Sequence, residues 1–168
     1  TAGQDTAFVM LRDGGILGLG GKSPNLYEGY MPKSVSHDGG RTWKVSRTPF
    51  PKVGPSRQKP TMIRLASGRL FVASDWLDNE GHQPAALHQN GAFVALSDDE
   101  GETWTIKNLP GVLPQDEWVF RDRPGYKPSV LKDGTIGYTS SAQGSNGIIH
   151  LITCRNYPAQ HFELNEAW

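Results

Sequence analysis

The chain has 168 residues, of which 17 are basic and 17 acidic, so its formal net charge is zero. That balance excludes nucleic acid or an anionic membrane surface as an electrostatically driven partner, and no apolar run is long enough to span a bilayer. A single cysteine, Cys154, excludes an internal disulfide and sits in the apolar run Ile148 to Cys154 as a small hydrophobe rather than a nucleophile.

Twenty Gly, twelve Pro and five Trp, with no sustained helical period, predict an all-β chain rich in turns. In chain order, Phe8 to Leu11 and Ile16 to Gly20 flank a turn at Asp13-Gly14-Gly15. A connection from Gly21 to Gly29 leads to a strand at Tyr30 to Ser36, and Trp43 to Thr48 follows after a short turn. The same four-strand unit recurs as Pro60 to Leu65, Leu70 to Ser74, Ala92 to Ser97 and Trp104 to Leu109, with its inner turn at Ser67-Gly68. A third copy opens with Lys127-Pro128-Ser129, which echoes Lys59-Pro60-Thr61, turns at Asp133-Gly134 and continues through Ile136 to Ser140 and Ile148 to Cys154. Glycines 14, 68 and 134 then set repeats of 54 and 66 residues, the size of a four-stranded propeller blade. The three blades are approximately 5–50, 57–110 and 123–168. Three blades do not close a ring, so further blades or a second copy of the chain are needed to complete one, with six blades as the expected total.

The turn between the third and fourth strands carries a motif. Ser36-His37-Asp38-Gly39-Gly40-Arg41-Thr42-Trp43 and Ser97-Asp98-Asp99-Glu100-Gly101-Glu102-Thr103-Trp104 share Ser-x-Asp-x-Gly-x-Thr-Trp. In a tight turn, Asp accepts bonds from the backbone ahead of it and Gly takes a positive φ. Thr restarts the strand, and the ring of Trp43 or Trp104 is expected in the core. At these residues the sequence resembles the Asp-box, or bacterial neuraminidase repeat, of sialidases and related β-propellers. In that family the box is a structural turn on the face away from the active site, which places Asp38 and Asp99 outside the chemistry.

The resemblance runs from about Phe8 to Trp168 and implies a secreted or periplasmic glycosidase of the exo-α-sialidase type. In sialidases three arginines hold the substrate carboxylate, a Tyr paired with a Glu attacks, and an Asp on a loop is the acid/base. The family's Arg-Ile-Pro motif is absent here, Arg123-Pro124 being the nearest fragment. Candidate chemistry gathers on the long connections opposite the box turns. Arg57, Lys59, Arg121, Arg123 and Lys127 precede innermost strands and suit an acidic sugar, with Trp76 as an apolar platform. Asp75 and Glu80 are candidate acids, and Tyr126 a hydroxyl donor; Tyr138 is expected to pack within its strand. In the final segment His161 and Glu163 alternate with Phe162 and Leu164, which puts the polar pair on one side of a strand.

Scattered histidines and the lack of a ligand spacing predict no metal and no cofactor. Two other readings remain open. A lyase acting on uronate-containing glycans would use Tyr or His as base and release an unsaturated product that absorbs in the ultraviolet. A non-catalytic propeller that binds glycan or protein would bind without turnover.

Overall fold

The computed structural model describes residues 5–20, 29–51, 59–76, 86–87, 91–112, 136–153 and 159–167. Eleven strands run in chain order: β1 (Ala7–Met10), β2 (Ile16–Leu19), β3 (Tyr30–Ser36), β4 (Lys44–Pro51), β5 (Thr61–Arg64), β6 (Leu70–Trp76), β7 (Gly91–Ser97), β8 (Thr105–Asn108), β9 (Thr139–Gln143), β10 (Ile149–Thr153) and β11 (His161–Leu164). They form three antiparallel sheets in the orders β1-β2-β3-β4, β5-β6-β7-β8 and β9-β10-β11. Among the described residues there is no helix long and apolar enough to cross a membrane.

Short glycine-bearing turns join β1 to β2, β3 to β4, β5 to β6, β7 to β8 and β9 to β10. Proline is confined to places where the ladder tolerates it. Pro49 and Pro51 lie on β4, the outermost strand of its sheet, and Pro32 lies beside a register shift in the β3–β4 pairing. Strand β1 lies against β5, and β5 against β9, so the first strands of the three sheets gather around a common axis.

Burial follows from this order. The middle sheet is covered on both faces, and every residue of β7 is buried. Ala7, Leu17, Leu19 and Met31 of the first sheet meet Met62, Leu70, Val72 and Phe93 of the second. On its other side the second sheet offers Phe71, Ala73, Val94 and Leu96 to Ile149 and Leu151 of the third. Phe50 stacks on Phe93 with centroids 5.1 Å apart and meets Trp104 at 5.3 Å. Among the described residues, the two outer sheets each keep one uncovered face. Phe8 and Met10 are 49% and 57% exposed on the first, and Ile152 is 52% exposed on the third.

The first two blades match the sequence expectation strand for strand. The third differs. Its inner hairpin joins β9 to β10 at Gly144–Ile148, between the stretches Ile136 to Ser140 and Ile148 to Cys154 that the sequence reads as its second and third strands; the turn expected at Asp133-Gly134 lies outside the described residues. Backbone bonds identify the hairpin as the counterpart of the other two. Leu11 N donates to Gly15 O, Leu65 N to Arg69 O and Gly144 N to Ile148 O, while Gly14, Gly68 and Gly147 donate to the first residue of each turn. The side chains of Asp13, Ser67 and Asn146 each accept from the backbone N–H two residues on.

Candidate functional site

The two Ser-x-Asp-x-Gly-x-Thr-Trp turns are closed within themselves. Asp38 accepts from Thr42 N at 2.9 Å and from Thr42 Oγ1 at 2.6 Å, and Ser36 Oγ accepts from Gly40 N at 2.9 Å. Asp99 accepts likewise from Thr103 N and Oγ1, and Ser97 Oγ from Gly101 N. The threonine hydroxyl and then its backbone N–H, with help from the serine, hold both carboxyls at about 2 against an ordinary 3.8. Carboxylates spent on their own turn have no acid to offer.

The tryptophans are only partly buried, because each indole lies over its turn and donates Nε1–H to the carbonyl of Gly40 or Gly101. Trp104 still packs on the core through Phe50, while Trp43 meets Phe8 at 5.8 Å.

These turns share their face with the inner hairpins, as His37 Nδ1 lies 3.4 Å from Asp13. That face also joins the blades. Glu100, with φ 61°, takes two 2.7 Å bonds from the Arg64 guanidinium and one from Arg12 N, and Arg64 in turn donates to Met10 O. Arg64 is the main reason the Glu100 carboxyl titrates below its usual range. Lys33, nearly buried, donates to Gly101 O and pairs with Glu102 at 2.7 Å.

The opposite ends of the innermost strands present a different set. Counting nine residues back from the turn glycines 14, 68 and 147 gives Asp5, Lys59 and Tyr138. The fold brings these equivalent positions together. Lys59 and Tyr138 form a parallel bridge, Thr139 Oγ1 donates to Lys59 O at 3.2 Å, and Tyr138 Oη lies 3.5 Å from Asp5 Oδ2 across the first and third blades. Lys59 and Tyr138 are exposed and Asp5 half-buried, so a cation, a phenol and a carboxylate face solvent near the axis.

Several candidate residues fall elsewhere. Asp75 is not on a loop: it belongs to β6, is fully buried, and accepts from Ile136 N at 2.7 Å and Gly137 N at 2.8 Å. Its two oxygens tie the second blade to the start of the third, which rules out a role as solvent-facing acid. Trp76 closes β6, its backbone paired with Gly91. His161 and Glu163 lie on β11, two strands out from the axis, with Phe162 and Leu164 turned to the core as the alternation predicts. Arg57, Glu80, Arg121, Arg123, Tyr126 and Lys127 lie outside the described residues. The equivalence expected between Lys59 and Lys127 is replaced by one between Lys59 and Tyr138. Sequence reasoning missed Asp5 and Tyr138, although the constant offset from the turn glycine marks both once the third hairpin is placed.

No family model matches the chain, and no curated protein sequence does. Among solved structures, an exo-β-1,3-galactanase from Clostridium thermocellum superposes with a TM-score of 0.57 at 13% identity, over 98% of this chain and 35% of its own. A GH93 α-L-arabinofuranosidase of Fusarium graminearum gives 0.47 at 18% identity, over 89% of this chain and 39% of its own. The fold is that of a β-propeller. At such identity the likeness carries the fold alone, and the chain spans little more than a third of either protein.

Proposed function

We propose that this propeller segment belongs to a glycoside hydrolase that removes a terminal acidic sugar, with Asp5, Lys59 and Tyr138 as the group that meets the substrate. The observation that carries this reading is that those three residues stand at one register just ahead of three innermost strands, Tyr138 Oη lying 3.5 Å from Asp5 Oδ2 and the Lys59 backbone bridged to that of Tyr138. Tyr138 Oη attacks the anomeric carbon, and Asp5 takes the phenolic proton as the C–O bond to the leaving group breaks. Water then hydrolyses the aryl glycoside. Lys59 pairs with the sugar carboxylate, Arg57, Arg121 and Arg123 are the further cations the sequence offers for it, and Glu80 is the candidate acid that protonates the leaving oxygen. An acidic glycan of this kind accords with a secreted or periplasmic location. The solved structures with a similar fold include glycosidases acting on neutral sugars, so the acidic specificity rests on the cations.

The same residues also fit β-elimination from a uronate, in which the Tyr138 phenolate removes the C5 proton, the C4–O bond breaks as the C4–C5 double bond forms, and the phenol returns the proton to the leaving oxygen while Lys59 neutralises the carboxylate. In that reading Tyr138, and not His161, is the base. The test is turnover of aryl α-sialosides, aryl arabinofuranosides and uronate oligosaccharides by the chain. Release of the aryl alcohol from the sialoside, reduced at least ~10²-fold in Tyr138→Phe and Asp5→Asn, is the expected result. A product absorbing in the ultraviolet would replace hydrolysis by elimination. Binding of sialic acid with no turnover of any substrate would leave a lectin.

A further inference from the structure

The uncovered face of the third blade carries a donor set that the reaction above does not use. Strands β10 and β11 pair so that His150 stands directly opposite Glu163, and His161 stands opposite Ile152, one step along the same face. His150 Nδ1 and His161 Nε2 are 2.9 Å apart, and His150 Nδ1 is 3.8 Å from Glu163 Oε1. The donor atoms of all three residues fall within 4.8 Å of one another. We propose that His150, His161 and Glu163 form a binding site for a borderline divalent cation of the Zn2+ class.

The donor chemistry selects the ion. Two imidazoles and one carboxylate suit Zn2+, Ni2+ or Cu2+, whereas Ca2+ and Mg2+ require oxygen ligands. Two donors each about 2.0–2.1 Å from a shared ion stand about 2.9 Å apart at a right angle and about 3.4 Å apart at the tetrahedral angle. The His–His separation is already at that distance. The rings are edge to edge, 19° from coplanar with centroids 5.1 Å apart, so one imidazole donates its N–H to the other. Binding exchanges that proton for the cation and requires both rings to turn until their nitrogens face the shared ion. Glu163 is 65% exposed, and closing the set from within 4.8 Å to ligand spacing falls to its exposed side chain.

The scaffold favours preorganisation. Phe162 and Leu164 anchor β11 to the core from its other face, and Ile149 and Leu151 do the same for β10. The three ligands are thus held by paired strands rather than by a loop. The remaining coordination positions point away from the sheet, open to water or to a donor from whatever packs on this face. This site is two strands from the axial group and stands or falls independently of the glycosidase reading.

Titration calorimetry of the chain with Zn2+ alone tests it, with Co2+ absorption as a second readout. One equivalent is expected to bind, with ligand-field bands for Co2+ and no binding of Ca2+. His161→Ala, His150→Ala and Glu163→Gln should each weaken Zn2+ binding about tenfold or more, the least that loss of a direct ligand costs. His37→Ala, which removes a separate His–carboxylate pair, should leave it unchanged. Absence of binding, or binding untouched by all three substitutions in variants that keep the native circular dichroism spectrum, would overturn the site.

Discussion

A carboxylate can be reserved for structure by geometry alone, and Asp75 shows how. The start of the third blade has two backbone N–H groups, of Ile136 and Gly137, in a buried position with no strand to receive them, and the two oxygens of Asp75 supply the acceptors. An amide in its place keeps one oxygen and turns an NH2 group toward one of those donors. Asp75→Asn is therefore expected to cost about 1–3 kcal/mol, the penalty for a buried polar group left unpaired, read from denaturant unfolding. An unchanged midpoint would return Asp75 to the list of free acids. In sequence this residue could not be told from a catalytic one, because its partners are 61 and 62 positions away and its burial depends on a neighbouring blade.

At the scale of the element, the two Ser-x-Asp-x-Gly-x-Thr-Trp turns behave as acid-sensitive clasps. Both aspartates are held at about 2 in the fold against 3.8 ordinarily. A depressed folded pKa means the unfolded chain takes up protons first as pH falls. The stability these turns contribute is present above about pH 4 and is lost as pH falls toward about 2. Carboxyl chemical shifts followed by NMR should show both groups titrating near the lower end, with Thr42→Ala and Thr103→Ala moving Asp38 and Asp99 back upward. Normal titration in the intact chain would contradict the hydrogen bonds.

These turns were legible in sequence because each one is local: every donor and acceptor lies within eight residues. The first two blades were legible for the same reason, strands and glycines alternating at short range. The third hairpin was not. Both Asp133-Gly134 and Asn146-Gly147 carry turn chemistry, and the echo of Lys59-Pro60 in Lys127-Pro128 favoured the former. Only the pairing of Gln143 with Ile149 separates them. Choosing the wrong glycine displaced the register and hid Tyr138 from the axial group. The nearness of His150 to His161 was not legible either, since it arises from strand pairing and not from spacing along the chain.

For the whole molecule, two blade faces that no sheet covers among the described residues decide its behaviour in solution. Phe8 and Met10 on one side and Ile152 on the other expose apolar surface of the kind that blades bury against each other. We expect the chain to associate, giving a mass above 18.4 kDa in light scattering coupled to size exclusion, and Met10→Lys with Ile152→Lys to lower it to that of one chain. A discrete dimer would fit two three-bladed halves closing a six-bladed ring. A monomer in the unsubstituted protein would show that these faces tolerate water.

Asp5, Lys59 and Tyr138 occupy one register of a repeated unit, and in each blade that register lies ahead of the strand residues that pack the core. A substitution there alters charge or hydrogen bonding without asking the sheet to repack. The rim of the axis thus works like a row of interchangeable type, one character per blade, set in a frame that stays fixed. Selection acting on such a rim can rewrite what it binds while leaving the stability of the frame largely untouched.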